Sequence, residues 1–417
     1  MLDIDGMGRE CERIGVFRLK IRTIYPPSAA LIPIQALLEA GLALVGCAGA
    51  VRSRTEELRK HFGVRHVFLV SSGKAALLLI LDALHDLKVA RREVVLPAYT
   101  CYSVPSAVVK AGLEPMLADV SRDSFGFDET CLTHAVSSTT LCVVASHLLG
   151  NPENLEMVSQ VARSVGAFVV EDAAQAMGVR REGKLLGTVA DVGFFSLGRG
   201  KNLTCGGGGV ILTDDDAIAE RIGSLWNGLR ELSWIENAVE FVKAVLLAVF
   251  VRPWLYWIPS AIPQLRLGET HFEHDFRLAR LSNVQGALLC GWLKRLESSN
   301  RARVRKGSKI AQVLRLNKLS KDAVPLRFPW LLRSSEEKRR VLQWSQEDGL
   351  GVSGMYPSAL NGVPELQERF AGQEYPNAVL LSERLVTIPT HELIPPTYLA
   401  KLVRLQQRVA QSGDEGR

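Results

Sequence analysis

Residues 169–213 read VVEDAAQAMGVRREGKLLGTVADVGFFSLGRGKNLTCGGGGVILT, and this stretch decides the fold class and most of the predicted chemistry. It holds two apolar runs typical of buried strands, one leading to Asp172 and the other ending at Ser196. Lys201 lies among glycines shortly after the second run. An acid and a lysine that follow neighbouring buried strands reach the same edge of a parallel sheet. We therefore expect a functional site at this edge.

An alternation of strands and helices extends upstream of this stretch. Short apolar runs predict strands at 67–70, 94–97, 114–120, 141–146, 167–170 and 191–196. Such alternation favours right-handed crossovers and a mainly parallel sheet, with ligands at the carboxyl ends of the strands. His147, Asp172 and the turn at 71–73 fall at such ends. Taken alone, a histidine or aspartate after a strand is more often a cap or a loop hydrogen-bonding residue than a catalyst.

The turn Ser71-Ser72-Gly73 precedes a predicted helix at 74–87. A serine cap and a glycine at a helix start leave backbone N–H groups facing the turn, where the helix dipole also favours an anion. The turn could therefore hold a phosphate. It matches neither GxGxxG nor GxxxxGK[ST], so a nucleotide fold is poorly supported. The alternative is an ordinary capped helix.

Length and composition restrict the class of protein. A chain of 417 residues predicts two to three structural units. Its 47% hydrophobic and 23% charged residues are ordinary for a globular protein. The net charge of +6 is spread along the chain, which indicates no nucleic-acid partner. Charged residues precede any apolar run at the N-terminus, unlike in a secretory signal, so we expect a cytoplasmic protein.

Seven scattered cysteines, never spaced as CxxC, indicate neither a disulfide framework nor a zinc site, and we predict no metal. They are Cys11, Cys47, Cys101, Cys131, Cys142, Cys205 and Cys290.

Two stretches, 29–51 and 238–263, are apolar enough to raise the question of a membrane. Charges or prolines interrupt both, so neither offers the ~20 apolar residues of a span. Residues 238–263 belong to a tryptophan-rich segment that could be an interfacial amphipathic anchor, giving peripheral membrane contact. The alternative, which we favour, is a helical pair packed against a partner subunit or over the active site, because tryptophan-rich helices more often pack within proteins.

Six motifs occur in an order that points to a known family. They are SSGKAALLL, VVLPAYTCYSVPSAVVKAGLEPMLADV, ASHLLGNPENLEMV, VVEDAAQAMG, DVGFFSLGRGKNLTCGGGGVILT and, far downstream, MYPSAL. In this order they make the chain resemble the DegT/DnrJ/EryC1/StrS family of pyridoxal-phosphate sugar aminotransferases. The resemblance is strong over about residues 55–230 and weak over about 270–410.

The resemblance implies an α/β fold, that of a fold-type-I transferase dependent on pyridoxal 5'-phosphate. A large domain would hold a seven-stranded, mostly parallel sheet, and a smaller C-terminal α/β domain would follow. The expected divisions are an N-terminal lead-in and helix at 1–50, the large domain at 51–230, the inserted apolar segment at 231–268 and the small domain at 269–417.

The same resemblance implies roles for individual residues around the cofactor ring. Lys201 matches the family's Schiff-base lysine, and Asp172 matches the acid that pairs with the pyridine nitrogen. Gln175 matches the glutamine beside the phenolic oxygen. Tyr356, in MYPSAL, could face the active site as the family's tyrosine does, and a buried strand-end tyrosine is the alternative.

Four further matches concern the cofactor's phosphate. Ser196 matches a phosphate-binding serine, and Gly73 and Lys74 match the backbone donors of the helix start that holds the phosphate. Asn227 resembles the asparagine that reaches the phosphate in the neighbouring subunit, which implies a homodimer.

Three departures from the family pattern weaken the inference to a standard sugar substrate. Cys101 stands where an aromatic residue often stacks on the cofactor ring, so either Cys101 covers the ring or Tyr102 turns toward it. Gly207 occupies a commonly acidic position. Lys74 replaces a small hydroxyl residue and adds a cation near the phosphate.

The leading hypothesis is an aminotransferase that moves nitrogen from an amino acid, usually glutamate in this family, to a keto group of a nucleotide-linked sugar or related compound. Polysaccharide or natural-product biosynthesis would be its setting. A dehydratase or an acyl-transfer enzyme is the alternative with the same cofactor, although the retained Lys201 disfavours dehydratases that carry histidine there. A catalytically idle regulatory member is disfavoured because Asp172, Gln175, Ser196 and Lys201 are all intact.

Overall fold

A seven-stranded sheet lies at the centre of the computed structural model, which describes residues 23–46, 49–265, 267–268, 270–317 and 319–414. The predictions that concern residues 1–22 and Cys47 lie outside these ranges. The first nine strands are β1 (His66–Val70), β2 (Glu93–Pro97), β3 (Glu114–Ala118), β4 (Thr140–Ser146), β5 (Phe168–Asp172), β6 (Arg180–Arg181), β7 (Lys184–Leu185), β8 (Val192–Ser196) and β9 (Gly209–Thr213).

The large sheet has the order β1-β9-β8-β5-β4-β2-β3. Strand β9 runs antiparallel to both of its neighbours, β1 and β8, and the remaining pairs are parallel. The mostly parallel seven-stranded sheet implied by the family resemblance is therefore confirmed. Strands β6 and β7 form a separate hairpin.

Helices cover both faces of this sheet, which explains why its strands are apolar along nearly their whole length. Helix α3 contacts α4 and α7, and α5 and α6 pack together with α6 against β4 and β5. The helices are α1 (Ile34–Leu44), α2 (Ala50–Phe62), α3 (Gly73–Leu87), α4 (Ser103–Lys110), α5 (Glu129–Ala135), α6 (Leu155–Ser164), α7 (Asp216–Asn227), α8 (Trp234–Phe250), α9 (Trp257–Ser260), α10 (Asn283–Leu288), α11 (Trp292–Leu314), α12 (Ser335–Asp348), α13 (Pro376–Arg384) and α14 (Tyr398–Asp414).

The pattern of apolar residues from Leu31 to Phe62 predicts helix, and the structure has two helices there, α1 and α2, rather than one. Gly46 and Gly49 lie between them with φ angles of 111° and 109°. Side chains with a Cβ rarely adopt such values, so these two glycines permit the chain to leave one helix and enter the next.

A second, three-stranded sheet follows the large one. Its strands are β10 (Arg327–Leu331), β11 (Ser353–Gly354) and β12 (Leu385–Pro389), in the antiparallel order β10-β12-β11. Helices α11 and α12 pack against it, and α14 packs on these two helices, around a core of its own. Helix α10, by contrast, contacts α1 and α2. The boundary between the large and small domains at 268 and 269 stays a prediction.

The apolar segment contains α8 and α9. Ser233 and Glu236 form a capping box that starts α8, and the helix then packs against α1 and α10. Within the described ranges, no helix combines the length and the apolar character needed to cross a membrane.

Candidate active site

Strand β5 ends in two consecutive carboxylates that point to opposite faces of the sheet, because side chains alternate along a strand. Glu171 lies on the same face as His147, whose Nε2 is 2.8 Å from the Glu171 Oε1. The Nδ1 of His147 accepts the Glu153 N–H at 2.9 Å, so Nε2 carries the hydrogen that Glu171 accepts. Backbone N–H groups of Gly187 and Val189 also donate to Glu171. Both ring nitrogens of His147 are therefore engaged in hydrogen bonds within the fold.

Burial alone would raise the pKa of Glu171, but the hydrogen bond from His147 and the backbone donors lower it, and the net direction is down. A buried carboxylate with this many donors stabilises the fold in its charged form. We therefore assign Glu171 and His147 to structure rather than to chemistry.

Replacing Glu171 by Gln should lower the free energy of unfolding by about 3 kcal/mol, because it breaks a buried charged hydrogen-bond network. Denaturant titration measures this loss, and the exposed Glu368→Gln is the matched control, expected within about 0.5 kcal/mol of wild type. Because the pKa of Glu171 is lowered in the folded state, its carboxylate stabilises the fold at pH values above the unfolded-state pKa of 4.5. This contribution is lost as the pH falls through the folded-state pKa. The difference between Glu171→Gln and wild type should thus shrink in acid. Equal stabilities at neutral pH would contradict this role.

Asp172 lies on the other face and is buried. Its Oδ1 accepts the Ala174 N–H at 3.0 Å and its Oδ2 accepts the Ser146 hydroxyl at 3.2 Å. Burial raises the pKa of Asp172, and neither these donors nor the nearby charge of Lys201 offsets the rise. A further cation beside Asp172 would favour its charged form.

Lys201 lies in the connection between β8 and β9, which is anchored at several points. The Lys201 carbonyl accepts from Arg303 Nη2 at 3.4 Å, and the Gly200 carbonyl accepts the Ser28 hydroxyl at 2.5 Å. The guanidinium of Arg303 is itself buried. The partly buried Lys201 is thus carried by a fixed loop, within electrostatic range of Asp172.

Gln175 joins this edge of the large sheet to the segment after β11. Its Nε2 donates to the Tyr356 hydroxyl at 3.1 Å, and its Oε1 accepts the Leu149 N–H at 3.1 Å. Tyr356 is buried, and its N–H donates to the Tyr99 hydroxyl at 3.3 Å. Burial raises the pKa of Tyr356 well above its ordinary value. The structure therefore places Tyr356 beside Gln175 at the sheet edge.

The start of α3 meets the end of β8. Ser72 caps the helix by accepting the Ala75 N–H at 3.1 Å, and a Cβ added to Gly73 would lie only 2.9 Å from the Cβ of Ser196. A side chain at Gly73 would therefore clash with Ser196, so the glycine permits α3 and β8 to approach this closely. The first N–H groups of a helix lack intrahelical partners, so the Gly73 and Ser196 junction is suited to an anion.

The side chain of Lys74 is already neutralised. Its Nζ lies 2.5 Å from Glu273 Oε2 and 5.1 Å from the centre of the Phe276 ring. Lys74 therefore contributes its backbone at the helix start, while its ammonium group is paired with Glu273.

Cys101 and Tyr102 differ in how they are held. The Tyr102 hydroxyl lies 2.7 Å from Ser358 Oγ, and its ring stacks against Tyr356 at 6.4 Å. Cys101 Sγ lies 3.5 Å from the Thr270 hydroxyl and is partly exposed. Of the two, Tyr102 is fixed by its neighbours.

Asn227 ends α7 and is exposed. Its carbonyl accepts from Arg280 Nη2 at 2.6 Å. Within the described part of this chain, no hydrogen bond joins the Asn227 side chain to Lys201 or Asp172. Its role at a neighbouring subunit's phosphate stays a prediction.

Arg327 on β10 is a site residue that sequence reasoning missed. Its Nη1 donates to Ser353 Oγ at 3.0 Å and to Thr387 Oγ1 at 3.2 Å. No carboxylate pairs with it in the part of the chain that the structure describes, and burial lowers its pKa. Tyr356 and Tyr256 lie within electrostatic range of Arg327. No sequence signal marked Arg327, because its two partners come from β11 and β12. Ser146 and Tyr99 were also missed, because their partners, Asp172 and Tyr356, lie far from them along the chain.

The residues present fit pyridoxal phosphate, the cofactor that the family resemblance implies. The N-terminal N–H groups of α3, next to the Ser196 hydroxyl, suit the phosphate. Asp172 is buried, and its neighbours do not offset the loss of hydration of its carboxylate. A protonated ring nitrogen beside it would stabilise the charged form. No cluster of His, Cys, Asp or Glu suited to a metal ion occurs among the described residues.

Comparisons with known proteins identify the family and the fold that this chain resembles. Residues 35–240 match the DegT/DnrJ/EryC1/StrS aminotransferase family. An uncharacterized protein of Methanocaldococcus jannaschii is 30% identical over 181 residues, which are 43% of this chain and 46% of that protein. The chain thus matches less than half the length of this relative.

Solved structures show the same fold at low sequence identity. PseC of Helicobacter pylori, an aminotransferase involved in the biosynthesis of pseudoaminic acid, has a TM-score of 0.76 and 16% identity, covering 93% of this chain and 100% of its own. The putative sugar aminotransferase Spr1654 of Streptococcus pneumoniae, in its PMP form, has a TM-score of 0.73 and 18% identity, covering 94% and 100%.

Proposed function

The chain belongs to the DegT/DnrJ/EryC1/StrS aminotransferase family, and from this premise we propose that it is an aminotransferase dependent on pyridoxal 5'-phosphate. It moves an amino group from an amino acid, most simply glutamate, to a keto group of a nucleotide-linked sugar or related compound, in polysaccharide or natural-product biosynthesis. The observation that carries the proposal is the position of buried Asp172 at the carboxyl end of β5, within electrostatic range of Lys201 and near the Gly73 and Ser196 junction.

The chain's residues divide the work at this edge. Pyridoxal phosphate, when bound, supplies a ring that takes up the electron pair released from the donor's Cα–H bond. Asp172 holds a proton on the ring nitrogen, which strengthens this uptake. Lys201 would hold the cofactor through its amine, and the free amine would move a proton at the donor's α-carbon. Gln175 and Tyr356 would lie on the phenolic side of the ring, and Ser196 with the α3 N-terminus would bind the phosphate.

Arg327 is the residue that we assign to the donor's carboxylate. Its guanidinium is oriented by hydrogen bonds to Ser353 and Thr387. It lacks a carboxylate partner among the described residues and lies within electrostatic range of Tyr356. Charge-assisted hydrogen bonds from arginine favour carboxylates.

Replacing Arg327 by Gln should raise the KM for glutamate by about 10- to 100-fold, because a charge-assisted hydrogen bond is lost. The first half-reaction, followed by the change in cofactor absorbance on adding glutamate, measures this. The exposed Arg122→Gln serves as the matched control. An unchanged KM in Arg327→Gln would remove Arg327 from donor recognition, without affecting the proposal for Lys201.

The proposed partners are a second copy of this chain and, in addition, a membrane that residues 238–263 touch peripherally. The exposed position of Asn227, away from its own chain's site, supports a homodimer in which it serves the neighbouring site. The cytoplasm is the proposed compartment, supported by the free cysteines at 101, 131, 142, 205 and 290.

A screen of amino donors against keto-sugar nucleotides, read by product mass, tests the reaction. An aminated sugar supports the proposal. A dehydrated or acylated product, with no nitrogen gained, would favour the alternative chemistry on the same cofactor.

A further inference from the structure

Helices α1 and α8 each expose a row of aliphatic side chains. The rows follow helical spacing, with residues separated by three or four positions, so each forms a stripe along one side of its helix. Exposure ranges from 79% at Val45 to 44% at Val249. Together the two rows form what we call the α1–α8 face: Ile34, Leu38, Leu42, Val45, Ile235, Val239, Val242, Leu246 and Val249.

The two rows belong to one surface. Helices α1 and α8 contact each other, and both contact α10, which lies beneath them. A Cβ on Gly41 of α1 would lie 3.7 Å from the Phe241 ring of α8. The buried sides of the helices, with Ala40 and Ala244, face inward. The exposed rows therefore both point away from α10.

The rim of this face has the composition of a membrane interface. Trp234 begins α8 and Trp254 follows the C-terminal end of the helix, and they are 67% and 62% exposed. Arg252 is also exposed and has no carboxylate partner among the described residues. Tryptophans and cations around an aliphatic stripe are typical of helices that lie in the interface of anionic membranes.

The acids near α8 are withdrawn from the face. Glu240 is buried and lies 3.0 Å from Arg277 Nη2. Glu236 is paired with Arg230 at 2.9 Å. The free charge at the rim is therefore positive, which complements a negative lipid surface.

A protein partner would require other features. Protein interfaces of standard size carry about ten hydrogen bonds and are enriched in buried aromatic and arginine anchors. The rows of the α1–α8 face consist of valine, leucine and isoleucine, whose side chains offer no donor or acceptor. Its tryptophans lie only at the rim. A lipid surface fits this distribution better than a second copy of the chain.

We propose that the α1–α8 face docks on a membrane surface containing anionic phospholipid, with α8 lying in the plane of the interface. The face extends membrane contact beyond residues 238–263 by adding α1, and it places Trp234 and Trp254 at headgroup level. Docking of this kind does not depend on the proposed enzymatic activity.

Flotation of the full chain with vesicles tests the proposal. Wild-type protein should float with phosphatidylcholine vesicles that contain phosphatidylglycerol, and less with phosphatidylcholine alone. The double variant Leu38→Gln and Leu246→Gln should lose about tenfold or more of its vesicle partitioning, because two apolar side chains no longer bury in lipid. Val89→Gln, at an equally exposed apolar position elsewhere, should float as wild type does.

Arg252→Gln should reduce binding only to the vesicles with phosphatidylglycerol. Wild-type protein that stays in the dense fraction with both vesicle types would overturn the proposal, and so would a double variant that floats like wild type. A wild type that does not float, and whose mass in light scattering falls in the double variant, would instead identify a second copy as the occupant. Circular dichroism of each variant verifies that the fold is retained.

Discussion

Replacing Lys201 by Ala is expected to abolish amino transfer and leave the fold intact. The rate should fall by about 10³-fold or more, because both the covalent hold on the cofactor and the proton carrier are removed. The contacts that anchor this loop use the backbone of Lys201 and Gly200, so they survive in the variant. Product formation measures the first effect, and thermal unfolding followed by circular dichroism measures the second.

Two further variants make the Lys201 prediction specific. Lys201→Arg keeps the positive charge but not the nucleophilic amine, and it should be as inactive as Lys201→Ala. The exposed Lys184→Ala should retain wild-type activity. A Lys201→Ala variant within about tenfold of the wild-type rate would exclude the role given to this lysine.

Replacing Asp172 by Asn should lower the rate by about 10²- to 10³-fold, because a preorganised charge beside the ring nitrogen is lost. The two side chains have similar size, so a loss of packing does not contribute. The absorbance spectrum of the bound cofactor should also change, since the ring nitrogen would no longer be held in its protonated form. Steady-state kinetics and the visible spectrum together measure the effect.

The same substitution, which lowers the rate, should not lower the free energy of unfolding. Burial raises the pKa of Asp172 in the folded chain, so a charged carboxylate there disfavours folding as pH rises above its ordinary value. Cofactor-free Asp172→Asn should therefore be at least as stable as wild type at neutral pH. Glu171→Gln, one residue away on the other face, should lose stability but retain the cofactor spectrum. A loss of stability in Asp172→Asn together with a changed cofactor spectrum in Glu171→Gln would contradict the assignment of Asp172 to the cofactor and of Glu171 to the fold.

The strands of the large sheet were predictable because they are short apolar runs, each followed by a turn or a helix. Asp172 and Lys201 could be placed at one edge because both follow such runs. The antiparallel direction of β9 was not predicted, since four glycines before residue 210 carry no information about strand direction. The helical pattern at 31–62 likewise did not reveal the break between α1 and α2.

Contacts between distant parts of the chain account for what the sequence did not reveal. His147 follows a strand as a catalytic histidine could, yet it is enclosed by Glu171 and the Glu153 N–H. Arg327 becomes a site residue only through hydroxyls from two other strands. Lys74 meets Glu273, almost two hundred positions later. Pairings of this kind depend on how the chain packs, which local patterns do not encode.

The α1–α8 face shows the same dependence. The tryptophan-rich segment alone left an interfacial anchor and a buried helical pair as alternatives. The fold shows that one side of α8 packs on α1 and α10 while the other side stays exposed. Its burial is therefore partial, and the exposed half carries the docking proposal.

Borohydride reduction of the wild-type protein after incubation with pyridoxal phosphate, followed by peptide mass mapping, tests the central claim most directly. Reduction fixes the cofactor on the lysine that holds it. We predict a single modified peptide, the one that contains Lys201, together with loss of the visible absorbance band. A colourless protein that takes up no cofactor, or a modification on another lysine with Lys201 unlabelled, would contradict the account.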